Sequence, residues 1–149
     1  MEYDALKLSN QLCFPVYAAS RLITRQYQPY LDKLGITYPQ YLVLLVLWEG
    51  DEITVNDLSA KLILNTNTLT PLLKRMEAMG LVARRRSDKD ERKVIISLTE
   101  KGVKMKDEAI TVPQELVKML QKSDLTIENL NDLKNQLNTL IAFLSPIVG

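Results

Sequence analysis

The chain has 149 residues, the size of one domain, with 46% apolar and 25% charged residues and a net charge of +1 from 19 basic and 18 acidic side chains. That composition supports a buried core and excludes disorder. There is no histidine and a single cysteine, Cys13, which excludes Ser/His/Asp and Cys/His nucleophile pairs, His-rich zinc sites and an intramolecular disulfide.

The longest apolar run, Tyr41 to Trp48, is far shorter than the ~18 residues of a membrane span, and the Met1-Glu2-Tyr3-Asp4 start is acidic rather than signal-like. No Gly-rich phosphate loop occurs. The expectation is a soluble cytoplasmic protein with no membrane partner, no cofactor and no metal.

Leu6 to about Leu34 reads as helical, with Leu6, Leu8, Leu12, Val16, Ile23, Tyr27, Leu31 and Leu34 in loose 3.6-residue spacing. Pro15 cannot donate to the carbonyl of Gln11 and disfavours helical backbone at Phe14, which predicts either a kink or a late helix start beside Cys13. Thr37-Tyr38-Pro39 opens a second, buried helix through Tyr41 to Trp48. Thr54 is placed to cap a short helix from Val55 to Leu62. After a break at Leu64-Asn65-Thr66-Asn67, another helix carries Leu69, Leu72, Leu73, Met76 and Met79 on one face and ends at Gly80. Pro71 belongs in its first turn, or bends the helix if that starts earlier, which favours a start near Asn67 or Thr68.

Leu81 to Arg86 and Arg92 to Leu98 alternate as strands around the polar turn Ser87-Asp88-Lys89-Asp90-Glu91, a β-hairpin. Thr99 caps a helix expected to reach Leu120 with a kink at Pro113. The last helix, Ile127 to about Leu144, carries Leu130, Leu133, Leu137, Leu140, Ile141 and Leu144 on one stripe. That stripe fits packing on its own domain or a dimer seam shared with the first helix. The seam is favoured because the compact core lies between residues 38 and 98.

Charge is uneven along the chain. From Lys74 to Lys101 nine basic residues face five acidic ones, so this segment carries +4 and the remainder −3, as expected when one face meets a polyanion. A short helix, a tight break, a second amphipathic helix and a basic hairpin, in that order, describe a winged helix-turn-helix. The fold class is mainly α with a small β-hairpin. A single domain, 1–149, would comprise a winged helix-turn-helix core at 36–99 and N- and C-terminal dimerisation helices at 1–35 and 100–149.

A recognition helix presents its N-terminal residues to base edges in the major groove. Here those are Asn65, Thr66, Asn67, Thr68 and Thr70; Asn suits adenine, and Thr offers a hydroxyl and a methyl. Capping and turn formation account for one or two of them. Lys74 and Arg75, with Arg84, Arg85, Arg86 and Lys89 on the hairpin, suit phosphates of a double-stranded operator.

Asp88-Lys89-Asp90-Glu91-Arg92, then Val94 to Leu98 and Thr99-Glu100-Lys101-Gly102, resembles the wing and following helix start of MarR-type regulators. Gln11-Leu12-Cys13-Phe14, Tyr27, Leu31-Asp32-Lys33-Leu34, Ile36 to Tyr41 and Leu69 to Glu77 are similar to the organic-hydroperoxide-sensing branch of that family. The resemblance runs from about Leu6 to Lys101. It implies a homodimer on a pseudo-palindromic operator, with Arg92 entering the minor groove and Asp90 orienting its guanidinium. An arginine suits the enhanced negative potential of a narrow minor groove.

The resemblance also implies a peroxide-sensing cysteine near the start of the first helix, bonded by tyrosine hydroxyls of the partner subunit. Cys13, Tyr27 and Tyr38 match those positions, and Tyr17 and Tyr41 are neighbouring phenols. A thiolate is the peroxide nucleophile, and phenolic hydrogen bonds favour its charged form. With no second cysteine, the expected signals are an organic hydroperoxide and a small cellular thiol that caps the sulfenic acid, or over-oxidation in its place. The leading expectation is therefore a repressor released when Cys13 is oxidised, not an enzyme. The alternatives are release by a small apolar or phenolic ligand, or a thiol peroxidase.

Overall fold

The computed structural model describes residues 1–148, with side chains to Ser145. Two 3-10 turns, Asp4–Leu6 and Leu8–Asn10, precede helix α1 (Phe14–Leu34). The helical reading of the first dozen residues is thereby corrected. Pro15 lies in the first turn of α1 with Cys13 at the N-cap, so of the two outcomes it allowed the late start is found. A proline is tolerated there because its missing N–H has no intrahelical partner to lose. The Gln11 amide donates to the carbonyls of Ala5 and Lys7 and braces the preceding turns. Pro29 lies inside α1, a feature the apolar spacing did not register.

Gly35, at φ 71, ends α1, and Thr37 starts α2 (Tyr38–Glu49) through a capping box: Gln40 N donates to Thr37 Oγ1, and Thr37 N donates to Gln40 Oε1. Strand β1 (Ile53–Thr54) leads into α3 (Val55–Leu62), capped by Thr54 as its sequence suggests. Helix α4 (Thr66–Ala78) starts slightly earlier than expected because Asn65 takes the cap, accepting from Asn67 N at 2.8 Å. Pro71 therefore falls inside α4, beyond its first turn, and not within it.

The expected hairpin, β2 (Val82–Arg86) and β3 (Val94–Leu98), gains a third strand. The antiparallel sheet has the order β1-β3-β2, with Ile53 opposite Ile96 and Arg84 opposite the same residue across the hairpin. Two residues are too few for β1 to show any alternation in sequence.

In place of one kinked helix after Thr99 there are α5 (Glu100–Ala109) and α6 (Thr111–Leu120), parted at Ile110, followed by α7 (Ile127–Val148). Pro113 sits in the first turn of α6, where proline marks a start and not a bend. The chain forms two compact units, Met1–Val112 and the residues from Pro113 onward.

In the first unit Leu31 of α1, Val43, Leu44 and Leu47 of α2, Leu58 of α3, Leu69, Leu73 and Met76 of α4, Leu81, and Ile96 of β3 are all at most 1% exposed. This core joins the helix-turn-helix to the sheet. The turn into α4 carries strain, since Ile63 adopts φ 53 although β-branched and exposed.

Helix α5 is fixed to the end of α4 by a close backbone approach. Thr99 N donates to the Leu81 carbonyl, Thr99 Oγ1 donates to the Gly80 carbonyl at 2.6 Å, and Trp48 Nε1 donates to the Gly102 carbonyl at 2.9 Å. A Cβ on Gly102 would lie 2.3 Å from the Leu81 carbonyl oxygen. Replacing a helical glycine by alanine ordinarily gains about 1 kcal/mol. Here the sign reverses: Gly102→Ala is expected to cost about 1–3 kcal/mol by overpacking, read as a lower urea midpoint at unchanged m-value. An unchanged or raised midpoint would show that the approach is looser than described.

Candidate functional site

The N-terminal end of α4 faces the wing across a cleft of about 220 Å³ lined by Thr54, Val55, Asn56, Thr66, Thr70, Arg84, Arg92 and Lys93 among others. Asn67 and Thr68 are exposed, and Thr66 and Thr70 are half-buried toward the cleft. Asn65 is also exposed, but its side-chain oxygen is engaged in the cap. The structure thus brings the candidate base-reading residues to one helix end. Lys74 and Arg75 follow on the same helix, both exposed.

The wing's charges are not equivalent. Arg84 is drawn back onto Glu77, whose Oε2 accepts the Arg84 backbone N–H at 3.1 Å and whose Oε1 accepts the guanidinium at 3.3 Å. Arg85 pairs with Glu52 at 3.4 Å, and Arg86 Nη1 donates to the Glu91 carbonyl at 2.8 Å. Lys89 N donates to Ser87 Oγ at the tip, and its side chain is exposed.

Arg92 lies almost wholly in solvent, its side chain 91% exposed. Asp90 still fixes its base: Oδ1 accepts from Arg92 N and Nε, both at 3.1 Å, and Oδ2 accepts from Nη2 at 3.3 Å. The guanidinium bond, then the backbone N–H of Arg92, holds the Asp90 carboxyl below its ordinary range. Glu77 and Glu52, which neutralise two of the wing arginines, were not singled out in the sequence. Glu52 is 33 residues from Arg85, and only the folded β1–β3–β2 sheet brings them together.

Cys13 is exposed at the start of α1. Tyr17 lies one turn on, exposed, with Arg21 Nη1 donating to its hydroxyl at 3.0 Å and the guanidinium 5.5 Å above its ring. Tyr27 and Tyr38 pack with ring centroids 4.9 Å apart, and Tyr41 closes a triangle at 5.8 and 6.2 Å. Fourteen residues of helix separate Tyr27 from Cys13, about 21 Å at ~1.5 Å per residue.

One chain therefore splits the expected set, with Cys13 and Tyr17 at the start of α1 and Tyr27, further along α1, packed with Tyr38 at the start of α2. Tyr41 belongs to that second group as fully as Tyr38 does. Burial first, then the neighbouring Tyr38 and Tyr41, pushes the Tyr27 phenol up to about 12. Burial also raises Tyr38, and burial followed by Tyr38 raises Tyr41. All three phenols stay protonated as donors at neutral pH. Among the described residues none of the three hydroxyls has a hydrogen-bond partner.

The family model for transcriptional regulators of the SarA/Rot type matches residues 25–109. The chain is 50% identical over 143 residues to the organic hydroperoxide resistance transcriptional regulator of Bacillus subtilis, covering 96% of this chain and 95% of that protein. It is 37% identical over 131 residues to the transcriptional regulator MgrA of Staphylococcus aureus, covering 87% and 89%. Among solved structures it is similar to reduced AbfR bound to DNA, with a TM-score of 0.80, 36% identity and the whole of both chains covered. It is also similar to overoxidized AbfR bound to DNA, with a TM-score of 0.71, 40% identity and 93% and 99% covered; AbfR is a protein of Staphylococcus epidermidis. The chain belongs to the MarR family of winged-helix transcriptional regulators, in the branch of the organic hydroperoxide resistance regulator.

Proposed function

We propose that this DNA-binding transcriptional regulator is a homodimeric repressor that leaves its operator when an organic hydroperoxide oxidises Cys13. The observation that carries the reading is the pairing of one exposed cysteine with three protonated phenols, Tyr27 further along α1 and Tyr38 and Tyr41 on α2, whose hydroxyls have no partner among the described residues and which lie too far from Cys13 to meet it within one chain. A second copy supplies the missing half if the two α1 helices run past one another. Phe14, Val16, Tyr17, Leu22 and Ile23 are all exposed on α1, whose single buried residue is Leu31. On α7, Leu133, Leu140, Ile141 and Leu144 are likewise uncovered. Each of these exposed apolar stripes suits burial against a partner copy.

In the reaction the Cys13 thiolate attacks the distal peroxide oxygen. The O–O bond breaks, the alkoxide leaves and takes a proton as the alcohol, and sulfur becomes a sulfenic acid. A small cellular thiol then displaces water to form a mixed disulfide. The relative AbfR is found on DNA in its overoxidized as well as its reduced form, which favours the bulky disulfide over further oxygenation as the releasing species here. Its insertion among the tyrosines would shift the subunits and respace recognition helices that must lie about one DNA turn, ~34 Å, apart.

A band shift on the upstream region of the protein's own gene tests this reading. Organic hydroperoxide with a small thiol is expected to release the wild type and leave Cys13→Ser bound, with reduced-state affinities within about 1 kcal/mol of each other. Release of Cys13→Ser by the same treatment would end the reading.

The phenols are checked by ultraviolet titration. One tyrosine is expected to titrate near pH 12 and to be missing from the titration of Tyr27→Phe. Because its folded-state value lies above the ordinary 10.0, its contribution to stability is complete below pH 10 and disappears as pH rises toward 12. Tyr27→Phe should therefore flatten the alkaline loss of stability in that window.

For the DNA face, Arg92→Ala is expected to weaken operator binding by ~1–3 kcal/mol per subunit without disturbing the dimer. Lys74→Ala should lower the salt slope by ~1 per subunit, whereas Arg84→Ala, already neutralised by Glu77, should barely change it. Equal slopes for the two variants would refute this partition of wing and helix charges.

A further inference from the structure

Gln40 is the only buried polar or charged residue among the described residues, 4% exposed. It stands between Tyr38 and Tyr41, two members of the tyrosine cluster. Its oxygen completes the capping box with Thr37, which fixes the first turn of α2 and hence the position of Tyr38. Its amide nitrogen is not needed for that cap, since Oε1 alone accepts the Thr37 N–H. It reaches across to α4 and donates to Met79 Sδ at 3.6 Å.

Met79 is the C-cap of the recognition helix. The same helix end is held from α5, where Lys101 Nζ donates to the Met79 carbonyl at 3.0 Å and Thr99 Oγ1 to that of Gly80. A thioether is a weak acceptor, so the amide contact is the soft member of this set, while those from α5 are ordinary N–H and O–H bonds to carbonyls. Apolar side chains could fill the space between α2 and α4 with no desolvation cost. The amide instead makes one side chain answer to both the tyrosine helix and the recognition helix.

We propose that Gln40 is a positioning residue that couples the Tyr27–Tyr38–Tyr41 cluster to the C-terminal end of α4, so that displacement of the cluster is passed to the DNA-reading helix through the Gln40–Met79 contact. This rests on the redox reading above for its trigger, but not for the coupling itself. When an adduct displaces Tyr38, the first turn of α2 moves, Gln40 moves with it, and the α4 cap either follows or is let go.

Two measurements on the full-length protein test the coupling. In the first, Met79→Leu removes the sulfur acceptor and leaves the capping box intact, and Gln40→Leu removes both. Each should bind operator within about twofold of wild type when reduced, and Cys13 should be oxidised at the wild-type rate by mass spectrometry. The hydroperoxide dose for release should rise at least fivefold. If Gln40→Leu fails to fold by circular dichroism, Met79→Leu carries the test. Wild-type release by folded Met79→Leu would overturn the proposal.

The second measurement uses no oxidant. Operator affinity is compared across wild type, Tyr38→Leu, Met79→Leu and the double variant. Tyr38→Leu is expected to weaken binding severalfold alone and less than twofold in the Met79→Leu background. Effects that simply multiply would overturn the coupling. If hydroperoxide fails to release even the wild type, the redox reading falls, and this cycle alone decides whether Gln40 joins the two elements.

Discussion

The backbone carbonyls of Met79, Gly80 and Leu81, where the recognition helix gives way to the wing, are where the first unit is held together. Gly80 takes φ 74 to turn the chain, and the next carbonyl is approached so closely that α5 can pass only with a hydrogen at position 102. Side chains from α5 bond the Met79 and Gly80 carbonyls, and Trp48 of α2 bonds the Gly102 carbonyl. Helix α4 cannot change its angle without disturbing α5, and α5 cannot change without disturbing α2. A displacement of one of these helices is therefore felt by the others, because packed cores are not continuously deformable.

The second constraint is what α1 lacks. In this 21-residue helix only Leu31 is fully buried, and the residues packed on the core, Tyr27, Tyr30, Leu31 and Leu34, all lie in its C-terminal half. Its apolar residues and the exposed cysteine share a segment that only another molecule could enclose. On the proposed reading the thiol at the start of α1 and the phenols of Tyr27, Tyr38 and Tyr41 are too far apart to meet within one chain, so the pocket would form only between two copies whose α1 helices pass antiparallel. On that proposal dimerisation and sensing would be one physical fact, and an adduct in the pocket would perturb the surface that sets the spacing of the two DNA-reading heads.

Much of this was legible in the amino-acid order because the signals were local. Thr54 and Thr99 declare helix starts through caps that need only three residues, and β2 and β3 alternate around a polar tip. Less was legible where a local rule had two outcomes. Pro15, Pro71 and Pro113 each disfavour continuation from the preceding turn, but whether a helix starts, bends or tolerates the ring is decided by what packs around it. Strand β1, with two residues, exists only through pairing with Ile95 and Ile96. The pairs Arg84–Glu77 and Arg85–Glu52, and the Gln40–Met79 contact, join residues that no periodicity relates. Tyr41 was visible as a phenol, but its membership of the triangle required the angle at which α1 crosses α2.

The distribution of wing charge shows how the same composition can serve two ends. Of four arginines on the hairpin, three are committed within the protein: two to carboxylates and one to a carbonyl. Such exposed pairs contribute little stability, typically under ~1 kcal/mol each, so their effect is geometric. They stiffen the strands and set the direction of the tip. Arg92 is the exception in degree: Asp90 holds its Nε and Nη2 while the side chain remains almost wholly in solvent. The guanidinium is thus oriented before any DNA arrives, and less rotamer freedom is left to lose on binding. In that sense the net +4 of the segment overstates its reach toward phosphates. The wing commits two of its arginines to internal ion pairs and holds a third, Arg92, aligned by Asp90 in solvent, beside the exposed Lys89 at the tip.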